Sequence, residues 1–168
     1  MMTVILDPKG TAMPMIEVTS PAGAIAPDAR EELLDELAGR LLHWEGAPDT
    51  EFFREISWVY FNELPADGLY VGGRPGGEPR VRVEITTPEG ALSQRRRAGL
   101  VADVHAAVSR AMGVAPEAAG LHVWVLCREI AEGSWGAGGA IVEFAKLREA
   151  SKAERERAEA ATPAPAPA

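Results

Sequence analysis

The sequence predicts an α+β fold: two tandem βαβ units forming a four-stranded mixed sheet with two helices on one face. Three observations carry this expectation. Ile16-Glu-Val-Thr-Ser-Pro-Ala-Gly-Ala-Ile25 lies over Val83-Glu-Ile-Thr-Thr-Pro-Glu-Gly-Ala-Leu92 without a gap, 67 positions on. The same offset carries Leu33, Leu34, Leu37 and Leu41 onto Leu100, Val101, Val104 and Val108, and their i, i+1, i+4, i+8 spacing makes each set one stripe of an amphipathic helix. Farther on, Trp58-Val-Tyr-Phe-Asn-Glu63 matches Trp124-Val-Leu-Cys-Arg-Glu129 at an offset of 66, and Gly72-Gly73 matches Gly138-Gly139. Each half therefore reads as strand, helix, strand, and a strand returning through a helix pairs in parallel with a right-handed crossover.

In chain order, the first strand spans about residues 15–20, where Ile16 and Val18 alternate with Glu17 and Thr19. A Pro-Ala-Gly turn precedes a helix from about Pro27 to Trp44, with proline suited to its first turn and Asp28, Glu31 and Glu32 placed where the helix dipole favours negative charge. Gly46 and Pro48 stop it. A strand from about Ile56 to Asn62 follows. The second half repeats the pattern with strands at about 80–87 and 121–128 around a helix from a Ser93 N-cap to Met112. Gly72-Gly-Arg-Pro-Gly-Gly77 reads as a flexible connection, since it lacks the lysine and following helix of a phosphate loop. Residues 1–13 have no counterpart in the second half and are an N-terminal extension or a mis-assigned start. Residues 14–149 form the domain, in halves of about 14–79 and 80–149. Residues 150–168 end in Pro-Ala repeats and are expected to be a disordered tail.

Composition narrows the function classes. The 168 residues are 46% apolar and 25% charged, as in an ordinary globular protein. A net charge of −8 repels phosphate backbones, so nucleic acid is not an expected partner. The longest apolar runs are too short to span a membrane. The single Cys127 forms no internal disulfide, and His43, His105 and His122 lack metal-ligand spacing, so neither metal nor cofactor is expected and a reducing cytoplasm is the default location.

Met13-Pro-Met-Ile-Glu-Val-Thr19, the βαβ duplication and Glu129-Ile-Ala-Glu-Gly-Ser-Trp-Gly-Ala-Gly-Gly139 together resemble the tautomerase superfamily, which includes 4-oxalocrotonate tautomerase and macrophage migration inhibitory factor. Trp58-Val-Tyr-Phe-Asn-Glu63 and Glu63-Leu-Pro-Ala-Asp-Gly-Leu-Tyr-Val-Gly-Gly73 look like the branch of cis-3-chloroacrylic acid dehalogenase, whose chains carry two βαβ units and are typically trimers. The resemblance implies a cofactor-independent isomerase moving a proton on a small enol or keto acid, with an amino-terminal proline as base. Pro14 stands in that place. A terminal proline is a secondary amine able to take a proton, whereas an internal one is a planar amide without a basic lone pair. The resemblance implies two aromatic contacts, Trp135 lining the proline pocket and Trp124 on the last core strand; core or interface packing is the alternative for both.

The family's arginine slots fall on Ala24, Thr87, Pro88 and Ala91, and the dehalogenase branch's tyrosine and glutamate on Leu126 and Ser134, so hydrolytic dehalogenation is disfavoured and dicarboxylates are expected to be poor substrates. The remaining cationic candidates are Arg80 and Arg82, flanking Val81, the repeat's counterpart of Pro14. They are substrate anchors or structural partners of Glu17 and Glu84. Arg95-Arg96-Arg97 reads as a solvated face. Trp58, Tyr60, Phe61 and Trp124 leave apolar surface with no third layer to cover it, which predicts a homotrimer. The alternative to an enzyme is a catalytically silent trimer serving as a binding or structural module.

Overall fold

The first repeat unit begins with β1 (Met15–Pro21), which buries Ile16 and Val18 completely and turns Glu17 to the opposite face. The computed structural model describes residues 14–161; the extension 1–13 and the last residues of the tail lie outside them. Helix α1 (Pro27–Glu45) starts on a proline and ends at Gly46, whose φ of 74° is the left-handed conformation that glycine adopts without a Cβ clash. A short helix, α2 (Glu51–Ile56), leads into β2 (Trp58–Leu64), which pairs in parallel with β1, Met15 opposite Trp58. Strands β3 (Tyr70–Val71) and β4 (Arg74–Pro75) close a hairpin outside the main sheet. Its turn glycines, Gly72 and Gly73, both have positive φ, so the expected flexible connection is instead a tight turn of the kind glycine pairs favour.

The second unit runs through β5 (Val81–Pro88), α3 (Gln94–Ala111), a one-turn helix α4 (Pro116–Ala119) and β6 (Val123–Ile130), again parallel to its partner. The Ser93 hydroxyl accepts from the Arg96 N–H at 3.3 Å, the expected N-cap. A second hairpin, β7 (Gly136–Ala137) with β8 (Ala140–Ile141), precedes α5 (Phe144–Ala161). The sheet order is β2-β1-β5-β6. Because β1 and β5 are antiparallel and Glu17 sits opposite Glu84, its own copy 67 positions on, a pseudo-two-fold axis passes between these residues. The symmetry extends to an ion pair. Arg30 reaches Glu63 at 2.6 Å in the first half, and Arg97 reaches Glu129 at 3.1 Å in the second, each tying the start of a helix to the end of its returning strand.

The core lies between the sheet and the two long helices: Ile16, Val18, Val83 and Ile85 meet Leu33, Leu37, Leu41, Leu100, Val104 and Val108. Between the helices the contact is close enough to require glycine. The Trp44 indole donates to the Asp103 carboxylate at 2.9 Å, and a Cβ on Gly99 would stand 2.1 Å from a ring carbon. Gly99→Ala is expected to destabilise the fold by about 1–3 kcal/mol, the usual cost of overpacking. An unchanged midpoint in urea would show that the indole moves aside freely.

Three further sequence expectations change. The segment before β2 holds the unforeseen α2. Phe61 does not join the open sheet face: it packs on the helical side, with the Arg30 guanidinium 4.2 Å from its ring centre. The open face carries Trp58, Tyr60, Trp124 and Leu126 instead, with Trp58 53% and Trp124 60% exposed. The tail expected to be disordered from residue 150 is helical to Ala161. Buried Phe144 and Leu147 anchor its start, Glu132 accepts from the Phe144 N–H at 3.1 Å, and Lys152–Glu156 and Arg157–Glu154 pair along the helix. Alternating charges at these spacings, among alanines, stabilise a helix that composition alone reads as solvated chain.

Candidate active site

The antiparallel packing of β1 on β5 brings the start of one against the end of the other, with Met15 opposite Thr86. Beside Thr86 lies the end of β6, and from there the chain turns through Ser134 into the second hairpin. These segments and α2 enclose a cleft of about 870 Å³. Pro14 lines it at the head of β1, buried, its carbonyl accepting from the Trp58 N–H at 3.2 Å. Trp135 lines the same cleft, fixed just before β7 by its own carbonyl, which accepts from the Val142 N–H at 2.8 Å. Phe52, Ile56, Trp58 and Ile130 supply further apolar wall.

Helix α2 is held to the scaffold by Arg54. Its guanidinium donates to both Asp49 oxygens, at 2.6 and 2.8 Å, and to Asp35 of α1 at 2.7 Å. Hydrogen bonding to Arg54 holds the Asp49 carboxyl below its usual range. Below α2, Phe53 plugs the core, 1% exposed, and the Ser57 hydroxyl donates to its carbonyl at 2.8 Å. With Phe53 inward, Phe52 and Glu55 are presented to the cleft. Among the described residues that line the cleft, Glu55 is the single ionisable side chain and none is an arginine.

A model of the family described as tautomerase enzyme matches residues 79–145. The match covers the second repeat unit. The tautomerase fold spans the first half as well, as solved structures show. Pt0534, inactivated by 2-oxo-3-pentynoate, is 18% identical over 78% of this chain and 97% of its own, with a TM-score of 0.64. A fused 4-OT symmetric trimer is 23% identical over 76% and 95%, with a TM-score of 0.62. A member of the cis-3-chloroacrylic acid dehalogenase family is 23% identical over 89% and 92%, also at 0.62. At such identities the likeness is one of fold. No curated protein matches the chain in sequence.

In this tautomerase-fold chain, Pro14 and Trp135 share one cleft, while Arg80, Arg82 and Trp124 stand elsewhere. Arg82 and Trp124 are opposite each other in the β5–β6 register, four residues along β5 from Thr86, or roughly 13 Å at strand rise. The physical reason is the antiparallel centre of the sheet: residues flanking the repeat's counterpart of Pro14 fall at the opposite end of the sheet from Pro14. Arg82 lies 3.7 Å from Glu84, which also accepts from Arg128 at 2.9 Å, and Arg80 donates to the Glu78 carbonyl at 3.2 Å. Leu126 lies on the open face, whereas Ser134 lines the cleft. Sequence reasoning missed Phe52, Glu55 and Ile56. Their signal was the Thr50 N-cap position ahead of Glu51 and the i, i+3 spacing of Phe53 and Ile56. No helix among the described residues is long and apolar enough to cross a membrane, and no cluster there has a metal site's ligands.

Proposed function

We propose that the protein is a cofactor-independent tautomerase that moves a proton on a small enol or keto acid, with Pro14 as general base and acid when it is the first residue of the chain. The observation that carries this reading is the meeting of Pro14 and Trp135 in one largely apolar cleft. A secondary amine there takes the enol O–H proton, and its ammonium form returns a proton to the far alkene carbon as C–O becomes C=O and C=C becomes C–C; apolar walls disfavour the charged form of the amine. Glu55 repels a second carboxylate, which favours monoanionic enols with an apolar body over dicarboxylates. Water activation for hydrolytic dehalogenation is left without the tyrosine and glutamate of that branch, since Leu126 and Ser134 stand in those slots. The test is ketonisation of phenylenolpyruvate by protein beginning at Pro14, against the same reaction with a dicarboxylic enol. Turnover of neither removes the tautomerase reading.

A second reading has its own observation: in the sequence as it stands Pro14 follows Met13, and its nitrogen is an amide. In that form the protein is a silent tautomerase-fold module.

Both readings include a homotrimer. Trp58, Tyr60, Trp124 and Leu126 are exposed together on the sheet face that no helix covers. Leaving two tryptophans wet forgoes on the order of 3–6 kcal/mol per subunit. Fused 4-OT structures of the same fold are symmetric and asymmetric trimers. Light scattering of the full chain is expected to give three times 17.9 kDa; a monomer at micromolar concentration would sink the assembly.

A further inference from the structure

A second cavity, of about 330 Å³, shares no residue with the Pro14 cleft. It lies between the end of α1, the turn at residues 88–91, the start of α3 and one side of α5. Arg96 lines it from α3, and Arg148 and Arg155 line it from α5, two turns apart with Ser151 between them. Phe144 and Leu147, 2% and 4% exposed, give it an apolar wall. Glu45 lines it from α1, and its backbone carbonyl accepts from Arg96 at 3.3 Å. Both Glu45 carboxyl oxygens are sealed from solvent, and neither has a hydrogen-bond partner among the described residues. A buried carboxyl left unpartnered is costly and calls for an explanation.

We propose that this cavity binds a small organic anion, its carboxylate or phosphate group held by the guanidinium forks of Arg96 and Arg148 with Arg155 adding charge, and its carbon body against Phe144 and Leu147. Guanidinium matches an oxyanion in shape as well as charge. The volume equals about eleven water molecules at ~30 Å³ each, more than a bare phosphate fills. Burial pushes the Glu45 carboxyl up to about 8 against the opposing pull of Arg96, so at neutral pH it keeps its proton and places no negative charge beside the anion. The charged groups facing the site are Glu45 from α1, Glu89 from the turn, Arg96 from α3, and Arg148 and Arg155 from α5. With Glu45 neutral the balance is positive; ionised, Glu45 repels the ligand.

The experiment is calorimetric titration of the full chain with phenyl phosphate and with benzoate, at fixed ionic strength and pH 7. Saturable binding of at least one is expected, and the stronger of the two identifies the anionic group. Arg96→Gln and Arg148→Gln should each weaken it at least tenfold, while Lys152→Gln, outside the cavity, leaves it unchanged. Wild-type affinity should fall between pH 7 and 9, and Glu45→Gln should keep the pH 7 affinity at both. No saturable binding, or binding indifferent to both arginine substitutions, overturns the proposal. So does a wild-type affinity equal at the two pH values, a readout that does not depend on α5 staying docked in the arginine variants.

Discussion

Protein whose first residue is Pro14 is expected to ketonise phenylenolpyruvate about 10²–10⁴ times faster than protein that keeps Met13 ahead of it, the range a positioned general base contributes. The two forms share fold and cleft and differ at one nitrogen. In the longer form it is an amide with no basic lone pair; in the shorter it is a secondary amine, which titrates near 8 in water. Phe52, Ile56, Trp58 and Trp135 around it disfavour the ammonium form and move the amine toward neutrality, whereas the Glu55 carboxylate opposes that shift. Pro14→Ala in the shorter form should lose most of the gain, because a primary amine is placed and solvated differently. Equal rates in all three proteins would take Pro14 out of the chemistry and leave the silent module as the standing reading.

The largest stability effect is expected at Glu45. Its carboxyl titrates at about 8 in the folded chain against 4.5 as the ordinary value, so the folded state holds a proton that the unfolded state has released throughout that interval. Stability contributed at this position is therefore greatest below pH 4.5, falls as pH rises toward 8, and levels off beyond it. Glu45→Gln removes the dependence. Relative to wild type, the variant should gain about 3–5 kcal/mol between pH 4.5 and pH 8.5, on the basis of 1.36 kcal/mol per unit of pKa. Urea midpoints of both proteins across this range, in a buffer free of phosphate and carboxylate, measure it. Parallel profiles would mean that the carboxyl reaches water in solution.

The sheet was legible in the sequence because the repeat constrains it twice, once through strand periodicity and once through the 67-residue offset. The opposition of Glu17 and Glu84 follows from that offset as soon as the central strands are antiparallel. The repeat also contains the Arg30–Glu63 and Arg97–Glu129 pairs, which a search for charged residues at the common offset would have found. Helix α2 escaped because six residues with Phe52, Phe53 and Ile56 together fit a short apolar run as well as a helical turn. At the cleft, Pro14 and Trp135 were visible through the resemblance. Arg80 and Arg82 flank Val81 in the sequence, and the antiparallel centre of the sheet sets them at the end away from Pro14. The α5 helix depends on Phe144 and Leu147 docking onto the rest of the fold, a tertiary effect that local composition does not express.

The near-symmetry of the halves stops where the chemistry would begin. Val81 holds the place related to Pro14 by the repeat and is 1% exposed, sealed in the core with Arg80 continuing the chain ahead of it. Among the described residues, then, the duplicated scaffold opens one proline cleft per chain rather than two. A covalent modifier of a terminal proline should saturate at one equivalent per polypeptide and three per closed ring, whereas a ring of six identical single units would take up six. On the proposed reading, the duplication leaves one copy to carry the chemistry and the other to serve as architecture.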